Sequence, residues 1–154
     1  MLLRLILLLF VAASLTFAQP ARHWQRKKAR PTYRSSSKTK SPELVRLAEE
    51  LHAQGASVLL TKEKVSQPFF SMAGRIIYIN GEAVQVFEYG ISSAAEANAR
   101  RVSADGATIG TSKPSWMAPP HFFRRGKLIV LYVGRNQTIV DLLQKALGNQ
   151  FAGG

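Results

Sequence analysis

Residues 75–89 read RIIYINGEAVQVFEY, and this stretch decides the fold. Two runs rich in β-branched and aromatic residues flank Asn80-Gly81, the dipeptide best able to take the two positive φ angles of a type I′ turn. The stretch is therefore expected to form an antiparallel hairpin. Alternation along the second run puts Glu82, Val84, Val86 and Glu88 on one face. The two valines turn that face inward, so Glu88 calls for a nearby partner, with Arg75 or Arg124 as the candidates.

The same grammar recurs further along the chain. His121-Phe122-Phe123 and Lys127–Val133 flank Arg124-Arg125-Gly126, where Gly126 suits the left-handed position of a bulged turn. Both GEAVQVFEYG (81–90) and GKLIVLYVG (126–134) precede a helical pattern. After the first, Ser93 and Glu96 have the spacing of a capping box opening an alanine-rich helix to about Val102. After the second, Thr138 and Asp141 repeat that spacing. The apolar face Ile139, Leu142, Leu143 and Ala146 follows, and Gly148 ends the helix. In Lys127–Val133, Leu128, Val130 and Tyr132 point one way and Ile129, Leu131 and Val133 the other. With both faces apolar, this strand is expected to be central and covered on both sides.

On the N-terminal side, Ser41-Pro42-Glu43 has the residues of a helix start, and Leu44, Leu47, Ala48 and Leu51 fall on one helical face before Gly55. A short strand over 56–61 and a polar loop over 62–67 are expected next. Gly110, Pro114, Pro119 and Pro120 give residues 107–120 an irregular path with at most a short edge strand. The expectation is an α+β domain over residues 43–154. Its antiparallel sheet has about four to five strands, built from two β-β-α pseudo-repeats with an additional N-terminal helix.

The charge lies mostly outside that domain. Of 154 residues, 21 are Lys or Arg and 9 are Asp or Glu, a formal charge of +12. Segment 19–42 holds eight of the cations, including Arg26, Lys27, Lys28 and Arg30, and no acid. It has no apolar periodicity to bury and reads as a disordered basic arm, serving as a spacer or an electrostatic tether to an anionic surface. From Glu43 onward twelve cations face nine acids, so the domain itself is close to balanced. Residues 1–18, with Arg4, an apolar run and small residues at Thr16 and Ala18, read as a secretory signal peptide cleaved between Ala18 and Gln19. The alternative is an uncleaved signal anchor that tethers the chain to the membrane. An exported protein, whether periplasmic, at the cell surface or extracellular, is the expectation. Nucleic acid fits the charge but not that compartment.

The sequence holds no cysteine and three histidines, which excludes disulfides, thiol nucleophiles and Cys-ligated metals. His23, His52 and His121 show no metal-ligand spacing. Glu82 and Glu88 stand about 20 Å apart along one strand, beyond the roughly 5–9.5 Å of paired-carboxylate glycoside hydrolysis. A hydrolase would need Ser115, His121 and Asp105 to converge without a nucleophile-elbow motif, and no catalytic residue, cofactor or metal is expected. Residues 115–125 instead concentrate Trp116, His121, Arg124 and Arg125, side-chain types that anchor interfaces. Their alternative role is to close the core, with His121 bonded to backbone. Asn136-Gln137-Thr138 matches a glycosylation sequon, but the same residues suit a strand-to-helix turn.

Taken together, QPFF, GRIIYINGEAVQVFEY, SADGATIGT, SWMAPPHFFRRGKLIVLYVG and LLQKALGNQFAG make residues 44–153 resemble a family of bacterial exported proteins with no established activity. That family's pattern joins a VQVFEY-type strand, a W-x-x-PPHF-type segment, an IVLYVG-type strand and a terminal LG-x-QFAG. The resemblance implies export but no cofactor, substrate or catalytic residue. This chain departs from many members in lacking a lipobox cysteine and carrying the basic arm. The expected function is a non-catalytic module that binds a protein or cell-envelope component, with a homodimer through an apolar sheet face as a further partner. The second reading is a small-ligand carrier with a pocket near Trp116 and His121.

Overall fold

The computed structural model describes residues 41–154. The expected signal segment with its Ala18–Gln19 junction, and the arm with Arg26, Lys27, Lys28 and Arg30, lie outside the described residues. In chain order the elements are α1 (Pro42–Ala53), β1 (Val58–Val65), β2 (Gly74–Ile79), β3 (Glu82–Glu88), α2 (Ser92–Ala99), β4 (Pro120–Arg125), β5 (Leu128–Val133), α3 (Gln137–Leu147) and β6 (Ala152–Gly153). The strands form one antiparallel sheet in the order β1-β2-β3-β5-β4-β6. The class is α+β, and the two β-β-α units stand in chain order as β2-β3-α2 and β4-β5-α3. The sheet has six strands, more than the four or five expected, because the terminal segment adds β6 alongside β4.

Each hairpin follows from its turn. Asn80 and Gly81 have φ of 50° and 86°, the two positive angles of a type I′ connection, and Ile79 pairs with Glu82 across them. In the second hairpin Arg125 pairs with Leu128, so the turn is the two residues Gly126-Lys127 and not the expected bulged loop. Gly126 at φ 54° supplies the positive angle at its first position, as a II′ turn requires.

The hairpins meet through β3 and β5, where Val86 pairs with Val130. Alternation then sorts the core into two layers. On one face, Ile77, Ile79, Val84, Val86, Val130 and Tyr132 pack beneath the apolar faces of α1 and α3. On the other, Phe87, Phe122, Ile129 and Leu131 pack against Ala95 and Ala99 of α2 and against Phe69, Phe70 and Ile109 from connecting segments. Both covers of β5 come from this chain. The helices of the two units lie on opposite faces, so the repeats share a chain order without sharing a two-fold axis.

Several local expectations are corrected. The polar segment from Lys62 belongs to β1 as far as Val65, past a register shift between Leu60 and Lys64. Lys62, Glu63 and Lys64 are tolerated there because β1 is an edge strand, where charge is solvated and discourages further pairing. Helix α2 starts at Ser92 and stops at Ala99, with Ile91 at its cap position and no side-chain cap bond, so the Ser93–Glu96 capping box does not form. Glu96 pairs with Arg100 one turn on instead. Helix α3 is capped by Asn136, whose Oδ1 accepts from the Thr138 N–H at 3.1 Å, two residues before the expected Thr138 cap. Glu88 takes neither Arg75 nor Arg124 as an ion-pair partner; it accepts a hydrogen bond from the Ser41 hydroxyl, which ties the start of α1 to the end of β3.

Replacing Gly81 with Ala places a Cβ at φ 86° and is expected to cost about 1 kcal/mol. Gly90→Ala, where an added Cβ meets nothing within 4 Å, should be neutral. Equal losses in urea denaturation would show that turn geometry is not what the Asn-Gly pair supplies.

Candidate functional site

The segment 115–125 reads as one constellation in sequence, but β4 divides it. Pro120, Phe122 and Arg124 alternate toward the α2 face, while His121, Phe123 and Arg125 point to the face covered by α1 and α3. Trp116 and Arg124 therefore share one side, and His121 and Arg125 share the other.

On the α1/α3 face both polar groups are held by structure. His121 is 9% exposed and stacks on Tyr132 with ring centroids 5.8 Å apart. Its Nδ1 lies 2.8 Å from Gln150 Oε1 and its Nε2 lies 3.2 Å from the Gly134 carbonyl. The ring thus ties β4 to the turn after β5 and to the segment leading into β6. Arg125 Nη1 donates to Glu50 Oε2 at 2.5 Å and to the Ala146 carbonyl at 2.5 Å, joining β4 to both covering helices. Nearby, burial pushes the Tyr132 phenol above its ordinary range, with the Glu82 carboxylate adding to the rise against a backbone bond from Asn136.

On the α2 face Trp116 is half-buried and donates from Nε1 to the Gly106 carbonyl at 2.9 Å. Its ring packs edge-on against Phe69 and Phe122, with centroids 5.9 and 6.0 Å away. Edge-to-face packing of this kind adds to the burial of apolar area. The loop beneath it is shaped by Asp105, whose Oδ1 accepts from the Ser103 hydroxyl at 2.6 Å and the Ala107 N–H at 3.0 Å. These bonds, the Ser103 hydroxyl first, hold the Asp105 carboxyl below the usual range. Met117, next to the anchored indole, is 99% exposed.

Arg124 emerges on this face at the rim of a groove of about 300 Å³ between α2 and the C-terminal segment. Ala99, Val102 and Phe151 supply its apolar lining, and Arg100 and Glu96 pair with each other at its edge. Arg124 is exposed and has no carboxylate within 4.0 Å among the described residues. Sequence reasoning found Arg124 but not the groove, because Ala99, Val102 and Phe151 are brought together only by packing. It also passed over Tyr89, whose phenol burial pushes up to about 12 against the opposing influence of Arg101 and the Ser71 hydroxyl.

The groups that a hydrolase would use do not converge. Asp105 lies on the α2-face loop, His121 on the opposite face, and each is bonded to other partners. His52 Nδ1 lies 2.9 Å from the Ala56 carbonyl, closing the end of α1. Glu82 lies 3.5 Å from both the Tyr132 hydroxyl and the Asn136 amide, while Glu88 bonds to Ser41. No group of three His, Asp or Glu among the described residues is placed to hold a metal ion. No family model, curated protein or solved structure matches the chain.

Trp116→Ala removes a half-buried ring and its hydrogen bond, and is expected to lower stability by about 2–4 kcal/mol in chemical denaturation. The pH dependence has a defined sign. A carboxyl held below its ordinary value of 3.8 stabilises the fold above that value, and the contribution is lost as pH falls through the folded-state value. Asp105→Ala should thus destabilise at neutral pH, with the gap to the parent closing as pH falls below 3.8. A gap that stays constant with pH would assign the effect to loop packing.

Proposed function

We propose that this chain is an exported, non-catalytic module that binds a protein or cell-envelope component through the α2 face, with the basic arm as spacer or electrostatic tether. The observation that carries the reading is the groove beside α2. Its apolar lining of Ala99, Val102 and Phe151 meets an exposed guanidinium, Arg124, with no carboxylate partner among the described residues. A partner that places an apolar side chain in the groove and an acid on Arg124 satisfies both. The polar side chains that chemistry would require are engaged elsewhere: His121 and Arg125 join distant segments, and Asp105 shapes its own loop. Export rests on the leader pattern of residues 1–18.

The test is capture of envelope components by the full chain, by Arg124→Glu, and by a variant with Arg26, Lys27, Lys28 and Arg30 changed to Gln, each at low and high salt. The domain reading predicts one set of captured components that survives high salt, persists in the arm variant and is lost in Arg124→Glu. Capture that disappears at high salt and in the arm variant, yet survives in Arg124→Glu, would place binding on the arm and overturn the role given to the groove.

A further inference from the structure

On the opposite sheet face, the register sets Lys64 of β1 directly across from Arg75 of β2, and Arg75 across from Val86 of β3. Directly opposed residues share a face with their Cβ atoms about 4.5–5.5 Å apart, so this ladder places two cations side by side, an arrangement that destabilises a sheet. Neither has a carboxylate within 4.0 Å among the described residues. The two cations border a cavity of about 210 Å³ whose apolar lining comes from Leu44 and Val86 and whose wall also holds Glu88. Glu88 Oε1 accepts from the Ser41 hydroxyl, and its other oxygen has no bond among the described residues.

We propose that this recess binds a small zwitterion, specifically an α-amino acid with an apolar side chain. Its carboxylate bridges Arg75 and Lys64, its ammonium donates to Glu88, and its side chain lies against Leu44 and Val86. A guanidinium presents two parallel donors to a carboxylate, and Lys64 adds a point charge beside it. A simple anion would be repelled by Glu88 and a simple amine by the two cations. A ligand carrying both signs offsets both, and relieves the Lys64–Arg75 repulsion. The volume is below the roughly 300–1,000 Å³ of pockets for drug-sized molecules, which suits a ligand of amino-acid size. This site lies across the sheet from the Arg124 groove and does not rest on the role proposed there.

The experiment is a titration of the isotope-labelled full chain, followed by amide NMR shifts, with L-leucine and its two deletion analogues, 4-methylpentanoate and 3-methylbutylamine, and with inorganic phosphate. The expected result is saturable shifts centred on residues 64, 74, 75 and 88 with L-leucine, and binding of the analogues and phosphate weaker by at least about tenfold. Arg75→Gln and Lys64→Gln should each weaken L-leucine by about tenfold or more, with unperturbed spectra elsewhere confirming the fold. Glu88→Gln, which keeps an acceptor for Ser41, should narrow the difference between L-leucine and 4-methylpentanoate. Absence of saturable shifts with L-leucine, equal binding of 4-methylpentanoate, or preference for phosphate would each overturn the proposal, the last two in favour of a plain anion site.

Discussion

Strand β5 has no polar face. Leu128, Ile129, Val130, Leu131 and Tyr132 are all essentially inaccessible to solvent. Burial of each such side chain is worth about 1.5–3 kcal/mol relative to exposure, so the strand is stable only with an apolar layer on both sides and a hydrogen-bonded neighbour on each edge. The rest of the architecture meets that requirement. β3 and β4 flank it. Helices α1 and α3 close one side, and α2 with the aromatic cluster of Phe69, Phe70, Phe122 and Trp116 closes the other. The divergence of the two helices after otherwise similar hairpins follows from the same need. With α2 and α3 on one side, Ile129 and Leu131 would lose the Ala95 and Ala99 part of their cover.

Covering both sides with short helices and long connections determines which polar groups are available for anything else. Arg125 and His121 sit where elements must be joined, so their donors go to Glu50, Ala146, Gly134 and Gln150. Asp105 and the Trp116 indole hold the loop that serves as part of the α2-side cover. Among the described residues, the charged groups without an ion pair include Arg124 beside α2, and Lys64 with Arg75 near the start of α1, each at the border of a cavity. Binding on this fold is therefore expected at the margins of its layers.

Legibility in the sequence followed the range of the forces involved. Turn chemistry and strand alternation act over a few residues, so the Asn80-Gly81 hairpin, the doubly buried β5 and the α1 and α3 faces were readable from composition and spacing alone. The polar half of β1 was not, because Lys62–Lys64 is acceptable in a strand only at an edge, and edge position depends on the order of all strands. The two-residue β6 has too little sequence to carry a pattern and exists because Phe151 N–H bonds to the Phe122 carbonyl across the sheet. At the candidate site, Trp116, His121, Arg124 and Arg125 were visible as side-chain types. Their division between two faces hinges on the parity of β4, and the groove and the Lys64–Arg75 recess depend on register and packing between distant segments.

The central claim is that β5 is the doubly covered strand on which the fold depends, and native-state hydrogen exchange measures it directly. The account predicts that amides of β5 and its neighbour β3 exchange only through global unfolding, with those of β1 and β6 opening at lower free energy. If β5 amides exchanged as fast as those of β1, the strand would not be the element that the remaining layers are built to cover.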